Sequence, residues 1–344
     1  MRTDSVGIRT LGRHGLAPIC IAVALVATAC GGDDSASDAP GSSSGTPVVV
    51  VTYSILGDVV QRLVGDAAEV QVVIPNGQDP HEFSPSARDV ESMRRSALIV
   101  ANGLDLEEGL ADALGEAEDD GVPVFHVTDH VTLRTLSEDE AALEDAAHAE
   151  ADQAGAEADH DHDEAAHDEA GHDHGGEDPH VWTDPLLMRE MAPALVDQLE
   201  AVLVVQLDDR LTAFVADMDD LDASVDEIMG AVPAGECRLV TGHESLGYFA
   251  QRYGCEIIGA VIPSLSSTAE ASAKDLADLA AAAEAAGVAA IFTEVGTPAQ
   301  VAEQVSSAVG VPLVELPSHQ LPDSGGYDAY ITDLATKIAT ALAA

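Results

Sequence analysis

The sequence predicts an α/β protein with two βα lobes, each containing parallel sheet, joined by a long rigid helix. Short apolar runs alternate with amphipathic segments in two series along the chain. Near-continuous apolar runs are typical of strands buried on both faces of a parallel sheet. Between the two series, the stretch from Leu207 to Met229 contains no Gly or Pro and repeats its apolar residues at a helical period. At 344 residues and 46% apolar composition, the chain is long enough for two domains of ordinary size.

The N-terminal segment has the pattern of an export signal. Arginines precede the apolar run from Leu16 to Ala29, and small residues lead into Cys30. This pattern predicts a signal peptide over residues 1–29 and a lipid anchor on Cys30. A conventional signal cut near Ala29, or a single anchor helix, is the alternative, although the run is shorter than the roughly 20 residues that span a bilayer. Residues 30–47 are rich in Gly, Ser, Asp and Pro and are predicted to form a flexible tether.

The first lobe is predicted over residues 48–185. A helix with an apolar stripe follows the first strand, and a second helix covers residues 84–95, with Ser84 as its N-cap and Pro85 at its first position. The predicted strands of this lobe are 48–52, 70–74, 97–101 and 122–127.

Residues 186–232 are predicted to be connecting helices. Asp184 is placed to cap a helix that Pro185 opens. The following long helix has roughly 22 to 26 residues and spans about 35 Å, the width of a domain. Such a helix is expected to limit hinge motion between the lobes. Two ordinary helices broken near Asp208 and Asp209 are the alternative.

The second lobe is predicted over residues 233–344. Its strands are expected at 239–241, 256–262, 289–293 and 311–316, and its helices at 244–253, 269–286, 298–309 and 327–343.

Cys237 and Cys255 are predicted to form a disulfide. Each lies at the start of a predicted strand, and like ends of neighbouring parallel strands are about 4.8 Å apart, within the range that a disulfide tolerates. An exported chain also lies in an oxidising compartment. The alternative of two thiolate metal ligands is weaker, because neither cysteine has a nearby Cys or His at finger-like spacing.

The charge of the chain excludes one class of partner. Its 62 acidic residues against 14 basic ones give a formal net charge of -48. A polyanion of this kind does not bind nucleic acid, because phosphate contacts need clustered Lys and Arg.

Polar residues that follow predicted strands indicate a metal site in the cleft between the lobes. His81, His243 and Asp323 each follow a strand, Glu294 ends one, and His180 precedes the connecting segment. His81 and His180 both end an Asp-Pro-His tripeptide, in which the proline stiffens the loop. Ligands of open α/β sheets gather beyond the carboxyl ends of the strands, so these side chains are expected to converge.

Three imidazoles and one carboxylate suit Zn²⁺, and suit Mn²⁺ or Fe²⁺ less selectively. Glu294 is interpreted as a neighbour that orients an imidazole, with direct metal contact left open. His126, His130 and His319 are interpreted as structural, although His319 lies only four residues before Asp323.

A His- and acid-rich loop is predicted over residues 135–177. It is interpreted as a low-affinity metal-binding segment, and a solvated acidic loop with incidental histidines is the alternative. The histidines of this loop are His148, His160, His162, His167, His172 and His174.

Four segments together resemble the zinc and manganese solute-binding lipoproteins of ABC importers. The resemblance extends over nearly all of residues 48–344. It implies that His81, His180 and His243 are ligands and that the fourth ligand is an Asp of the final loop, carried onto Asp323. The matching segments are Gly77–Pro85, Asp178–Pro185, Gly242–Ala250 and Phe292–Glu294.

The resemblance also implies a function. The chain is expected to capture Zn²⁺ outside the cell membrane and deliver it to a permease driven by a cytoplasmic ATPase, without catalysing a reaction. It is expected to be a monomer, either lipid-anchored at the outer face of the membrane or periplasmic. Manganese members typically carry Glu at the position of His243, and zinc members often carry a His-rich loop, so zinc is favoured over the alternatives of manganese or iron.

Two other functions compete with metal uptake. A secreted zinc hydrolase also uses three protein ligands, but no HExxH helix is present and a fourth protein ligand would close the site. An adhesin or metal buffer would work without a permease.

Overall fold

In the computed structural model, which describes residues 46–134, 136 and 177–343, the first lobe contains a four-stranded sheet. All neighbouring strands are parallel and lie in the order second, first, third, fourth. The strands are β1 (Val48–Tyr53), β2 (Glu69–Ile74), β3 (Leu98–Ala101) and β4 (Val124–His126). Because β1 and β3 are central, they are buried almost throughout, as their apolar sequences predict.

The helices of the first lobe are α1 (Ser54–Val64), α2 (Ala87–Arg95) and α3 (Ala111–Asp119). Helix α1 buries its predicted apolar stripe, which consists of Leu56, Val59, Val60 and Leu63.

The predicted start of α2 is wrong by two residues. Ser86, not Ser84, is the N-cap: its hydroxyl accepts the backbone N–H of Asp89, and the Asp89 carboxylate accepts the backbone N–H of Ser86. This reciprocal capping needs a polar side chain three residues after the cap. Three residues after Ser84 the chain has Ala87, which cannot take part, so the helix begins later.

The connecting segment forms α4 (Pro185–Leu203) and α5 (Asp208–Met229). As predicted, the Asp184 side chain accepts the backbone N–H of Leu186 at 2.8 Å and Pro185 opens α4. Helix α5 is continuous over 22 residues, and residues 204–207 separate it from α4. The predicted long helix is therefore present, and the break between the two connecting helices lies just before Asp208.

The second lobe contains two pairs of parallel strands. β5 (Arg238–Thr241) pairs with β6 (Glu256–Ala260), and β7 (Ile291–Thr293) pairs with β8 (Leu313–Glu315). Two helices begin later than predicted, at Gly247 and Ala273. The helices are α6 (Gly247–Tyr253), α7 (Ala273–Ala286), α8 (Ala299–Val309) and α9 (Gly326–Leu342).

The predicted disulfide is confirmed. Cys237 and Cys255 are bonded, with their Cα atoms 4.6 Å apart. They immediately precede β5 and β6, so the bond joins like ends of two neighbouring parallel strands.

The described residues belong to one compact unit, which spans residues 45–344. Within them, no helix combines the length and the apolar character needed to cross a bilayer. The predicted signal peptide, the lipidation site Cys30 and the six histidines of the predicted metal-binding loop lie outside the described residues. The predicted boundaries of the lobes stay predictions.

Candidate metal centre

Three buried histidines converge at the junction of the lobes. His81 lies in the loop after β2, His180 just before α4, and His243 directly after β5. The Nε2 atom of His180 lies 3.4 Å from Nε2 of His81 and 3.1 Å from Nε2 of His243. Within the described part of the chain, these three side chains form a group whose potential ligand atoms all lie within 4.8 Å of one another.

The spacing of the nitrogens fits a shared metal ion. Zinc binds imidazole nitrogen at 2.0–2.1 Å, so two nitrogens of a tetrahedral site lie about 3.3 Å apart. The separations of 3.4 and 3.1 Å are close to that value.

The repeated Asp-Pro-His tripeptide forms the same turn in both places. Asp79 Oδ1 accepts the backbone N–H of His81 at 3.0 Å, and Asp178 Oδ1 accepts that of His180 at 2.9 Å. An aspartate that accepts the N–H two residues ahead closes a local turn. Each aspartate therefore fixes the backbone of the histidine that follows it.

The two copies differ in what else the aspartate contacts. Asp178 Oδ1 also lies 2.8 Å from Nδ1 of His180, while its Oδ2 accepts a hydrogen bond from Arg134 Nε at 3.1 Å. Asp79 Oδ2 instead accepts the hydroxyl of Ser267, from the second lobe, at 2.6 Å. Asp178 thus orients the imidazole ring of its histidine, whereas Asp79 holds the loop of His81 against the second lobe.

Glu294, at the end of β7, orients His243. Its Oε1 lies 2.9 Å from Nδ1 of His243 and accepts the backbone N–H of the same residue at 3.0 Å. Ser245 Oγ donates to the carboxylate from the other side. Glu294 and Thr297 pack so closely against the backbone before His243 that position 242 must be glycine. A Cβ there would lie 2.0 Å from Oγ1 of Thr297 and 2.8 Å from Cγ of Glu294.

Carboxylates favour one tautomer in each of two rings. An Nδ1–H that donates to Asp178 leaves the lone pair of His180 on Nε2, and the charge of Glu294, whose Oε1 lies 2.9 Å from Nδ1 of His243, favours a proton on that nitrogen as well. The Nε2 lone pairs of His180 and His243 therefore face each other at 3.1 Å. Two lone pairs at this distance repel unless a proton or a cation lies between them.

The surroundings of the buried groups favour a neutral ring at His180, a charged ring at His243 and an ionised carboxylate at Glu294. Burial lowers the pKa of His180 to about 4, so this ring stays neutral. Burial disfavours the charged form of Glu294 also, but the neighbouring His243 outweighs it and lowers the pKa of Glu294 to about 2. Burial of His243 is likewise outweighed by Glu294, which raises the pKa of that histidine. A proton is therefore the natural competitor of a metal ion at His243.

His81 has a different neighbour at Nδ1. Glu108 Oε1 lies 3.8 Å from this nitrogen, and the Glu108 side chain is 45% exposed. Ser266 Oγ, from the second lobe, donates to the same oxygen at 2.9 Å. This hydrogen bond joins the two lobes beside His81.

The structure does not bring Asp323 to the three histidines. Asp323 is exposed on the loop before α9 and is not a member of the described ligand group. His319 of the same loop is buried, and its ring lies 6.0 Å from that of His243, centroid to centroid. Burial lowers the pKa of His319 to about 3.

The other two histidines interpreted as structural lie in the first lobe. His126, in β4, has its Nε2 4.0 Å from Glu118, and the ring of His130 stacks on Phe125 with centroids 4.4 Å apart.

Sequence reasoning missed the role of Asp178. The repeated Asp-Pro-His tripeptide was used only to predict its histidines as ligands. Its aspartate is repeated too, and this repetition is the signal that could have predicted a role for Asp178. The position of Arg134 against Asp178 has no comparable signal, because the two residues lie 44 positions apart in the chain.

A two-lobed α/β fold with a buried three-histidine group defines a metal-binding protein. A family model described as periplasmic zinc-uptake complex component A, ZnuA, matches residues 49–343, and the chain belongs to that family. The zinc-binding protein TroA of Treponema pallidum is 28% identical over 284 residues, covering 82% of this chain and 79% of TroA. The manganese-binding lipoprotein MntA of Halalkalibacterium halodurans is 22% identical over 301 residues, covering 86% of this chain and 85% of MntA.

A solved structure extends the similarity to the fold. The structure described as the periplasmic zinc-binding protein TroA from Treponema pallidum matches with a TM-score of 0.69 and 27% identity. The match covers 87% of this chain and all of the matched chain.

Proposed function

We propose that this protein captures Zn²⁺ outside the cytoplasm and delivers it to the permease of an ABC importer. The observation that carries the proposal is the convergence of three buried Nε2 atoms, two of them with lone pairs turned toward each other by carboxylates. A divalent cation removes the repulsion between those lone pairs and suits the ionised carboxylates behind the rings. His81, His180 and His243 are the proposed ligands, and Asp323 is left out because it is exposed.

The donor set supports zinc over manganese. Imidazole nitrogen suits zinc, whereas manganese prefers sites rich in carboxylate and water, and zinc binds most N and O sites more tightly. Relatives carry both names, since TroA is called zinc-binding and MntA manganese-binding. The choice of zinc therefore depends on the residues of this chain.

The test is a competition between metals. The chain without the predicted signal peptide, called the mature chain below, is stripped of metal and titrated with Zn²⁺ in the presence of Mn²⁺. The heat of binding is measured by calorimetry. Zn²⁺ is expected to win, and His180→Ala is expected to weaken Zn²⁺ binding by at least roughly 100-fold, since a ligand matters more than its orienting neighbour. His126→Ala, which removes an imidazole outside the group, is the matched control. Preferential binding of Mn²⁺, or unchanged affinity in His180→Ala, would contradict the proposal.

Attachment to the membrane through Cys30 is part of the proposal. The export signal and the small residues before Cys30 support it, and a bound lipid would keep the loaded protein beside its permease. Cys30→Ala is expected to move the protein from the membrane fraction to the soluble fraction. Equal membrane retention of the variant would contradict lipid anchoring.

The His-rich segment is proposed to collect zinc at low affinity for the buried site. Its six histidines lie among Asp and Glu, and His-rich tracts of this composition bind metal. Deletion of residues 148–174 is expected to remove the weak binding events from a calorimetric titration and leave one tight site. Loss of the tight site on deletion would show that the ligand assignment is wrong.

A further inference from the structure

His319 is a buried histidine whose ring has no hydrogen-bond partner. The residue is 3% exposed. Neither Nδ1 nor Nε2 forms a hydrogen bond with any described residue. A buried polar group without a partner costs roughly 1–3 kcal/mol, so such a group in a native protein calls for an explanation. A ligand that supplies the missing contact is one such explanation.

The backbone around His319 is held by the same segments that carry the proposed ligands. The carbonyl of His319 accepts the backbone N–H of Gly77, in the loop of His81, at 3.1 Å. The preceding carbonyl, of Ser318, accepts Nε1–H of Trp182 at 3.3 Å and the hydroxyl of Tyr330 at 3.0 Å. Trp182 lies two residues after His180. The position of His319 is therefore fixed relative to two of the three ligand loops.

The ring of His319 lies beside the three-histidine group. It is 6.0 Å from the ring of His243 at an interplanar angle of 27°, and 5.6 Å from the indole of Trp182. His319 is not a member of the described group whose potential ligand atoms all lie within 4.8 Å of one another. A metal ion held by the three histidines and by His319 together would need the His319 ring to move closer to that group.

Other nearby side chains are poorer candidates for a fourth ligand. Asp79 has both carboxylate oxygens engaged, one with the N–H of His81 and the other with the hydroxyl of Ser267. Asp323 is exposed. His319 combines burial with two uncommitted nitrogens.

We propose that His319 is the fourth zinc ligand, so that the loaded site holds four imidazoles where the family resemblance implies three imidazoles and an aspartate. This inference rests on the proposed function and extends it to the selectivity of the site for Zn²⁺ over Mn²⁺. An all-nitrogen site disfavours Mn²⁺, which prefers carboxylate oxygen, more strongly than a site with one aspartate does. The fourth residue would then set how firmly this chain rejects manganese.

The test counts imidazole ligands by X-ray absorption at the zinc edge. The mature chain is loaded with one equivalent of Zn²⁺, together with the variants His319→Ala and His319→Asp and the control His126→Ala. Four imidazoles are expected in the unchanged chain and in the control, and three in both variants. Because all four proteins keep the same His-rich segment, a difference between them isolates position 319.

Affinity gives a second readout on the same proteins. His319→Ala is expected to bind Zn²⁺ at least roughly 10-fold more weakly. His319→Asp is expected to lower the ratio of Zn²⁺ to Mn²⁺ affinity by a similar factor, because it restores a carboxylate to the site.

The outcomes separate this inference from the proposed function. An unchanged imidazole count together with an unchanged Zn²⁺ to Mn²⁺ ratio in both variants would overturn the role of His319 while leaving the proposed function intact. Failure of the unchanged chain to bind Zn²⁺ tightly would overturn the proposed function itself. Thermal melting without metal checks that each variant folds, and His319→Asp, which retains a polar side chain, provides the readout if His319→Ala does not fold.

Discussion

Two of the proposed ligands, His180 and His243, each have a buried carboxylate against Nδ1. The contacts are made by Asp178 at 2.8 Å and by Glu294 at 2.9 Å. Such partners fix the tautomer and raise the basicity of the coordinating nitrogen. Affinity at this site therefore depends on residues that are not proposed to touch the metal.

Replacement of one of these carboxylates tests this dependence. Glu294→Gln is expected to weaken Zn²⁺ binding by roughly 10–100-fold, because the neutral amide removes the negative charge that lies 2.9 Å from Nδ1 of His243 and raises the basicity of its Nε2. Calorimetry with a competing chelator measures the change. Glu315→Gln, on the exposed face of the neighbouring strand β8, is the matched control and is expected to bind as the unchanged chain does. Unaltered affinity in Glu294→Gln would exclude its role in orienting His243.

At the scale of elements, a buried acid joins β1 and β3 to the loop of His180. Glu107 Oε1 accepts the hydroxyl of Thr52 at 2.5 Å and the backbone N–H of Asn102 at 2.8 Å. The amide of Asn102 in turn donates to the carbonyl of Pro179 at 2.8 Å. Burial raises the pKa of Glu107 above its ordinary value of 4.5, and the hydrogen bonds only partly oppose this effect.

A raised pKa in the folded state makes stability depend on pH in a definite direction. Below pH 4.5 the carboxyl is protonated in both states and contributes no penalty. As the pH rises from 4.5 through the folded pKa, the unfolded chain ionises first, and the free energy of unfolding falls. Relative to Glu107→Gln, the unchanged chain is therefore expected to lose stability over that interval.

Urea unfolding of both metal-free proteins between pH 4 and pH 8 measures this difference, and comparing the two chains cancels the many surface carboxylates. A difference in unfolding free energy that is constant with pH, or that changes in the opposite direction, would contradict the raised pKa of Glu107.

At the scale of the whole molecule, α5 links the two lobes without a break. It packs against α1 of the first lobe, against α9 of the second, and against α4. Its 22 residues run from Asp208 to Met229. A continuous helix with contacts in both lobes resists large relative rotation.

Loading with metal is therefore expected to leave the radius of gyration unchanged within the error of small-angle scattering. The comparison is between the metal-free and the Zn²⁺-loaded mature chain, with His180→Ala plus Zn²⁺ as the control for binding outside the central site. A clear contraction seen only in the unchanged chain would contradict the proposed rigidity. Such a contraction would indicate that the lobes move relative to each other when zinc binds.

The sequence predicted what depends on local pattern. Apolar runs located the strands and the uninterrupted stretch located α5. The positions of His81 and His243 after strands, and the repeated Asp-Pro-His tripeptide at His81 and His180, pointed to the three histidines that the structure brings together. The sequence favoured Asp323 over His319 as the fourth ligand. Their burial depends on how the final loop packs, and four residues are enough to separate the buried His319 side chain from the exposed Asp323 side chain. The contacts that orient the rings were only partly foreseen, since they join residues far apart in the chain.

The disulfide has a consequence for when the protein can be loaded. Cys237 immediately precedes β5, and His243 lies just after the same strand. The disulfide therefore links β5 covalently to β6 at the start of the strand that positions this proposed ligand. Disulfides form after export and are rare in the reducing cytoplasm. On the proposed function, the chain would acquire this bond only after export. The reduced chain is therefore expected to hold His243 less firmly, and to bind zinc more weakly, than the chain with the disulfide.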